Sequence, residues 1–309
     1  MPYNGKYIPE KDDFYKLSRS KVDFFLNCSR CFYMDRRLGI AQPPGFPFNL
    51  NSAVDNLLKN EFDYYRGIQK PHPYIEKLGL NAVPFQHESL DKWRHNFSGV
   101  TYQHKELNLH LFGAIDDLWI NLDKEELIVV DYKATSKGSE INLDADWQIG
   151  YKRQMEFYQY LLRNNGFKVS DKGYFVYCNG IRGKERFDEK LDFEIYLLDY
   201  TGNDSWIENT LKDLVQTLNQ DDIPDFNETF TSLLEGVGQQ VYKAVYNYQP
   251  GNVDGISAYR KKFAVTEFAS VSILMSEVTS YRQCSHYRRL VRPFVLPSRL
   301  YYMRCRTAS

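Results

Sequence analysis

The chain has 309 residues, 43% of them hydrophobic and 16% aromatic, enough to bury a sizeable core in one large domain or two smaller ones. That composition excludes an intrinsically disordered protein, and 39 Lys+Arg against 40 Asp+Glu gives no overall basic excess that would announce a nucleic-acid binder. Five cysteines at irregular spacing are unlike a secreted disulfide framework. No run approaches the ~20 apolar residues of a membrane span, and Met1–Lys6 leads into charge rather than an apolar signal segment. The expectation is a cytoplasmic protein without membrane contact.

Leu17–Leu26 opens like a capped helix, with Ser18 or Ser20 as N-cap and Val22, Phe25 and Leu26 as its apolar face. It runs into Cys28-Ser29-Arg30-Cys31. A lone CxxC lacks the further ligands of a metal site, because Cys178, Cys284 and Cys305 lie far off in sequence. Two half-buried thiols packing the helix are the simpler expectation. Pro43, Pro44, Gly45 and Pro47 mark a connector. An amphipathic helix follows from Asn51 or Ser52 to Phe62, with Val54, Leu57, Leu58 and Phe62 on one face and Asp55 and Glu61 on other sides. Residues 70–97 show no clean period and read as loop with short elements.

From Tyr102 to Leu111, His104, Glu106, Asn108 and His110 alternate with Leu107, Leu109 and Leu111, the pattern of a half-buried strand with both histidines at the surface. Glu106 has a somewhat better claim to a role, since it leads towards Gly113. Two apolar runs then flank the turn-forming Asn121–Glu125, which predicts a β-hairpin. Ile128, Val129 and Val130 favour a strand over a helix in the second run. Strand alternation puts Asp131 and Lys133 on one face with Tyr132 opposite, and the hairpin can set Asp116 beside them. Two carboxylates and a lysine converging on a sheet edge can hold a hard divalent cation and a nucleophilic water. Asp117 is the rival to Asp116.

Past the hairpin, a helix is expected in the segment ending at Leu162, with Gln154 and Tyr158 as i,i+4 neighbours and Met155, Leu161 and Leu162 turned to a core. Lys172–Asn179 and Leu191–Tyr200 read as strands. Asp204–Leu218 reads as a helix burying Trp206, Ile207, Leu211, Leu214 and Val215. This order predicts an α/β (α+β) domain with a central mixed sheet flanked by helices. Beyond Asn227 strand signals fade and arginines gather (Arg282, Arg288, Arg289, Arg292, Arg299, Arg304, Arg306), interleaved with Tyr287, Tyr301 and Tyr302. That stretch reads either as a nucleic-acid contact or as a tail without function.

With these residues laid out, the chain resembles the PD-(D/E)XK nuclease superfamily, in its RecB-like branch, which includes the CRISPR-associated exonucleases. Gly113-Ala114-Ile115-Asp116 resembles the GxxD segment, Asp131-Tyr132-Lys133 the (D/E)XK element (with Val130 where the name has proline), and Gln154–Tyr158 the QxxxY helix. Leu17–Tyr33 also looks like the start of such proteins. The resemblance covers residues 15–226, leaving 227–309 as an extension, basic near its end. It departs at Asp55, where many members place a histidine ligand, and in the lack of a compact C-terminal cysteine group, which argues against an iron–sulfur cluster.

The resemblance implies a restriction-endonuclease-like core and a Mg²⁺- or Mn²⁺-dependent nuclease. Its substrate would be DNA, as single strands or ends, in an exonuclease-like or repair role. Asp116 and Asp131 would be metal ligands, with the Tyr132 carbonyl as a possible third and Asp55 in the usual histidine place. Lys133 would face both the attacking water and the scissile phosphate, keeping its charge beside two carboxylates. Gln154 and Tyr158 would position the substrate backbone or the lysine. The competing expectation is a module that keeps the fold and binds nucleic acid without turnover.

Overall fold

A computed structural model describes residues 5–11, 13–41 and 49–225. The arginine-rich segment, Cys284 and Cys305 lie outside them.

Strand β1 (Tyr15–Ser18) runs directly into helices α1 (Arg19–Asn27) and α2 (Ser29–Tyr33), and then into a π-helical turn, Met34–Leu38. Long helix α3 (Asn49–Gly67), α4 (Pro73–Lys77), β2 (Ala82–Pro84) and α5 (Leu90–Arg94) follow. Next come β3 (Val100–His104), β4 (Leu109–Gly113), β5 (Asp117–Asn121) and β6 (Glu126–Thr135). Helix α6 (Ile149–Asn164), β7 (Lys172–Gly180), β8 (Phe193–Thr201) and α7 (Ile207–Asn219) complete the described chain. The elements form a five-stranded sheet ordered β2-β5-β6-β7-β8 and a three-stranded sheet ordered β1-β4-β3. Both are mixed: β6–β7 and β1–β4 are parallel and the other pairs antiparallel.

The five-stranded sheet is covered on both faces, so β6 reads as an almost unbroken apolar run. Leu127 and Val129 join one core with Phe157, Leu161 and Leu211. Ile128, Val130 and Tyr132 join the other, with Val54, Leu58, Phe62 and Trp119. The expected turn is present: Asn121 Oδ1 accepts from the backbone N–H groups of Asp123 and Lys124, each at 3.0 Å. That local bond fixes a tight reversal between the two strands.

Several expectations are corrected. The stretch 102–111 is not one strand but the β3–β4 hairpin, reversed at residues 105–108 with Asn108 at φ +51°. Glu106 therefore sits exposed in a turn. His104 is buried, and its Nε2 lies 3.0 Å from Glu208 Oε2, whereas His110 is half-buried. The hairpin's first strand begins at Asp117, and Ala114–Asp116 is a non-strand link. Leu57, expected on the apolar face of α3, is exposed, and Arg66 continues the buried stripe instead. Ser18 holds the N-cap place of α1, but its hydroxyl bonds Ser20 Oγ at 2.9 Å rather than the helix. Cys28 and Cys31 are paired with each other as a disulfide rather than standing as two thiols, while Cys178 is free and buried. β1 and β2 had no strand signal because each is too short to show alternation.

Candidate active site

Asp117 pairs with Val130 across the β5–β6 ladder, and one further step of that register sets Asp116 opposite Asp131. Here β6 runs on past the end of β5, so one edge of residues 131–135 has no strand partner. Asp116 uses that edge: its Oδ2 accepts the Tyr132 N–H at 3.0 Å. In a strand, a residue's N–H and C=O point to the same edge, so the Tyr132 carbonyl also faces the open side.

The alternation read from sequence holds. Asp131 and Lys133 form an ion pair on one face, and the Tyr132 ring enters the α3 core on the other. Gln154, one turn before Tyr158 on α6, donates from Nε2 to Asp131 Oδ1 at 2.8 Å and to the Tyr158 hydroxyl at 3.1 Å. The remaining Asp131 oxygen, Oδ2, is buried without an aligned hydrogen bond and pairs with the Lys133 ammonium. Burial pushes the Asp131 carboxyl well above the usual carboxylate range and the neighbouring Asp116 adds to this, while Lys133 opposes it. For Lys133, burial works against the charge, but Asp131 and Asp116 together outweigh it and raise its pKa. The lysine is an ammonium, suited to orient and stabilise rather than to take a proton.

Gly113 explains the glycine of the GxxD segment. A Cβ there would lie 2.7 Å from Tyr158 Cε1, so only glycine lets the α6 tyrosine close over the strand end. Asp117 is held apart from this group. It is fully buried and paired with Arg66 of α3 and with Arg94 of α5, the latter at 2.8 Å. It also accepts the Tyr132 hydroxyl at 2.6 Å and its own Leu118 N–H at 2.8 Å. Arg94 Nε further bonds the Asp116 carbonyl at 3.0 Å, so the Asp117 cluster fixes the backbone that presents Asp116.

A cavity of about 300 Å³ is lined by Asp55, Asp116, Tyr132, Lys133, Tyr151 and Gln154 among others, while Asp131 is fully buried behind these residues and does not line it. Asp55 belongs to this cavity rather than to a solvated surface, and burial followed by the Asp116 charge raises its pKa. Lys59, one turn along α3, lies 2.7 Å from Asp55 Oδ2 and 3.6 Å from Asp116 Oδ1. Lys59, Arg66 and Arg94 were missed in the sequence. The Asp55–Lys59 i,i+4 spacing could have exposed the first. Arg94 sits in a stretch without periodicity and gave no signal.

A mixed sheet carrying an acidic pair and a lysine on an open strand edge defines a nuclease-like α/β fold. Residues 16–251 match the family model of the PD-(D/E)XK nuclease superfamily, and the chain belongs to that superfamily. No curated protein matches the chain significantly.

PD-(D/E)XK nucleases generally use divalent metals such as Mg²⁺. The residues present fit such an ion: the donors are oxygens, and Asp131 Oδ2, paired with the Lys133 ammonium, has no aligned hydrogen bond. Among the described residues no three His, Cys, Asp or Glu side chains cluster as a metal site. Asp116 and Asp131 are the side chains that could hold one, and an octahedral ion would draw its other oxygens from the Tyr132 carbonyl, water and substrate. No helix among the described residues is long and apolar enough to cross a membrane.

Proposed function

We propose that the chain is a divalent-metal-dependent nuclease that hydrolyses phosphodiester bonds in DNA, with an exonuclease-like mode as in the RecB-like branch it resembles. The observation that carries this reading is the buried Asp131–Lys133 ion pair with Asp116 bonded to the intervening Tyr132 N–H at an open strand edge. Asp116 and Asp131 would hold Mg²⁺ or Mn²⁺, with the Tyr132 carbonyl beside them and Asp55 across the cavity. The ion, when bound, supplies Lewis-acid stabilisation of charge on the phosphoryl oxygens.

Lys133 places a fixed positive charge where the scissile phosphate and attacking water meet, and it needs no rearrangement to do so. Gln154 holds the Asp131 carboxylate in orientation through Oδ1, leaving Oδ2 turned to the lysine. Tyr158, protonated because burial raises its pKa, fixes the Gln154 amide in turn.

The test is a Mg²⁺ or Mn²⁺ cleavage assay on single-stranded, duplex and flapped DNA. Lys133→Ala and Asp131→Ala are expected to lower the rate by about 10³-fold or more with folding intact. Unchanged cleavage by Lys133→Ala would overturn the assignment. One observation favours a second reading, a nucleic-acid-binding module without turnover: the Lys59 ammonium already bridges Asp55 and Asp116, as a resident cation would. DNA binding with no turnover of any substrate in either metal would select that reading.

A further inference from the structure

Trp147 lies outside the machinery just described, yet it is a large ring held out of the core, 59% exposed. Leaving such a ring in water forgoes the stabilisation its burial would give. Its placement is nevertheless fixed. It is the middle residue of a 3₁₀ turn, Asp146–Gln148, whose Gln148 is fully buried. Gln148 donates from Nε2 to the Asn142 carbonyl at 2.8 Å, and its Oε1 accepts the Ala145 N–H at 3.0 Å. The neighbouring glutamine thus anchors the turn and presents the indole outward.

The ring does not stand alone. Tyr151, four residues on, meets it edge-on at 5.5 Å between centroids and also lines the catalytic cavity. Each ring carries an ammonium: Lys133 Nζ lies 4.5 Å from the Tyr151 centroid and Lys137 Nζ 5.3 Å from that of Trp147. Beyond Lys137 lies a second cavity of about 470 Å³, lined by Lys137, Asn179, Arg182 and Tyr196 together with the acids Glu140 and Glu194. Lys137 is set in place by two backbone bonds to the Asn179 side chain, at 2.7 and 3.1 Å. The Arg182 guanidinium is packed against Gly138, close enough that a Cβ there would lie 2.7 Å from Nη2. Among the described residues neither Lys137 nor Arg182 is tied up in an ion pair.

Alternating aromatic faces and cations leading away from a reaction centre match one chemistry: unstacked bases on a charged strand. We infer that Trp147 and Tyr151 form a stacking platform for the bases of a single-stranded polynucleotide, with Lys137 and Arg182 following its phosphates out of the catalytic cavity. A duplex keeps its base faces stacked inside the helix and cannot use such a platform. The platform reads π-faces rather than base edges, so it tolerates sequence. The inference deepens the nuclease reading, since it takes its direction from the catalytic cavity, but its test reads binding rather than turnover.

The full chain is titrated, in Ca²⁺ and without Mg²⁺ or Mn²⁺, against fluorescein-labelled oligodeoxythymidylate, the same oligomer with abasic sites, and a blunt hairpin duplex. Trp147→Ala is expected to weaken binding of the oligodeoxythymidylate by about 5- to 100-fold, with Trp147→Phe recovering much of the loss. The abasic oligomer and the duplex are expected to bind wild type and Trp147→Ala alike. An unchanged thermal midpoint for Trp147→Ala shows that the fold is intact. Binding of the single strand within twofold of wild type overturns the inference, as does an equal loss on the abasic oligomer or the duplex. If the platform behaves as expected while wild type cleaves nothing in any metal, the nuclease reading alone fails. If cleavage is normal and Trp147→Ala binds like wild type, the platform alone fails.

Discussion

Asp116 and Asp117 are adjacent in the chain and live in opposite chemical worlds. Asp117 is enclosed by Arg66, Arg94, the Tyr132 hydroxyl and a backbone N–H, so its buried charge is compensated on every side. Asp116 faces a cavity, shares the strand edge with Asp131, and has its nearest cation, Lys59, at 3.6 Å. The first is a closed ion cluster that holds two helices to the sheet, and the second is an open one with acceptor capacity to spare. A single step along the chain, from the link before β5 into the strand itself, decides whether a carboxylate is enclosed by arginines or faces the cavity.

The sharpest way to break that comparison is to neutralise each aspartate in turn. Asp117→Asn leaves two arginines facing a lost charge and is expected to cost about 3–5 kcal/mol in urea denaturation. Asp116→Asn and Asp131→Asn should instead abolish metal-dependent cleavage. Equal destabilisation by Asp116→Asn and Asp117→Asn would erase the distinction.

Gly113→Ala tests the seam between the two regions. Its methyl would press on Tyr158 at 2.7 Å, so a cost of about 1–3 kcal/mol and a loss of rate are expected. Tyr158→Leu should relieve the stability cost without restoring the rate. Lys59→Met removes the ammonium from the open side. It is expected to lower the half-saturating Mn²⁺ concentration by about 3- to 10-fold, read from the cleavage rate, because a resident cation no longer competes for Asp55 and Asp116. No change would show that Lys59 and the metal do not compete.

The smallest effect concerns the packing behind the closed cluster. His72 is buried and stacked on Phe62, with Nδ1 accepting the Tyr74 N–H and Nε2 at 2.9 Å from Glu61. Burial lowers its pKa below the ordinary 6.5, and Glu61, Asp117 and Glu76 only partly oppose this. The unfolded chain therefore takes up a proton first as pH falls through 6.5, and the folded state follows only lower down. Stability is full above that value and is lost progressively between it and the lowered folded pKa. The thermal midpoint should fall on acidification across that window, and His72→Gln should flatten the slope.

What could be read in the chain itself is what local geometry dictates. The two-residue period of a strand put Asp131 with Lys133 and against Tyr132. The 3.6-residue period of a helix put Gln154 beside Tyr158, and turn chemistry placed the reversal at Asn121–Glu125. None of these needs a distant partner. Tertiary structure alone decided which of two neighbouring aspartates is enclosed, because that depends on arginines 51 and 23 residues away in sequence. It also decided that Lys59 bridges Asp55 and Asp116, that His104 is buried against Glu208, and that Gly113 must make room for Tyr158. Contacts of that reach are set by how helices pack on the sheet, and nothing in the local period of the chain encodes them.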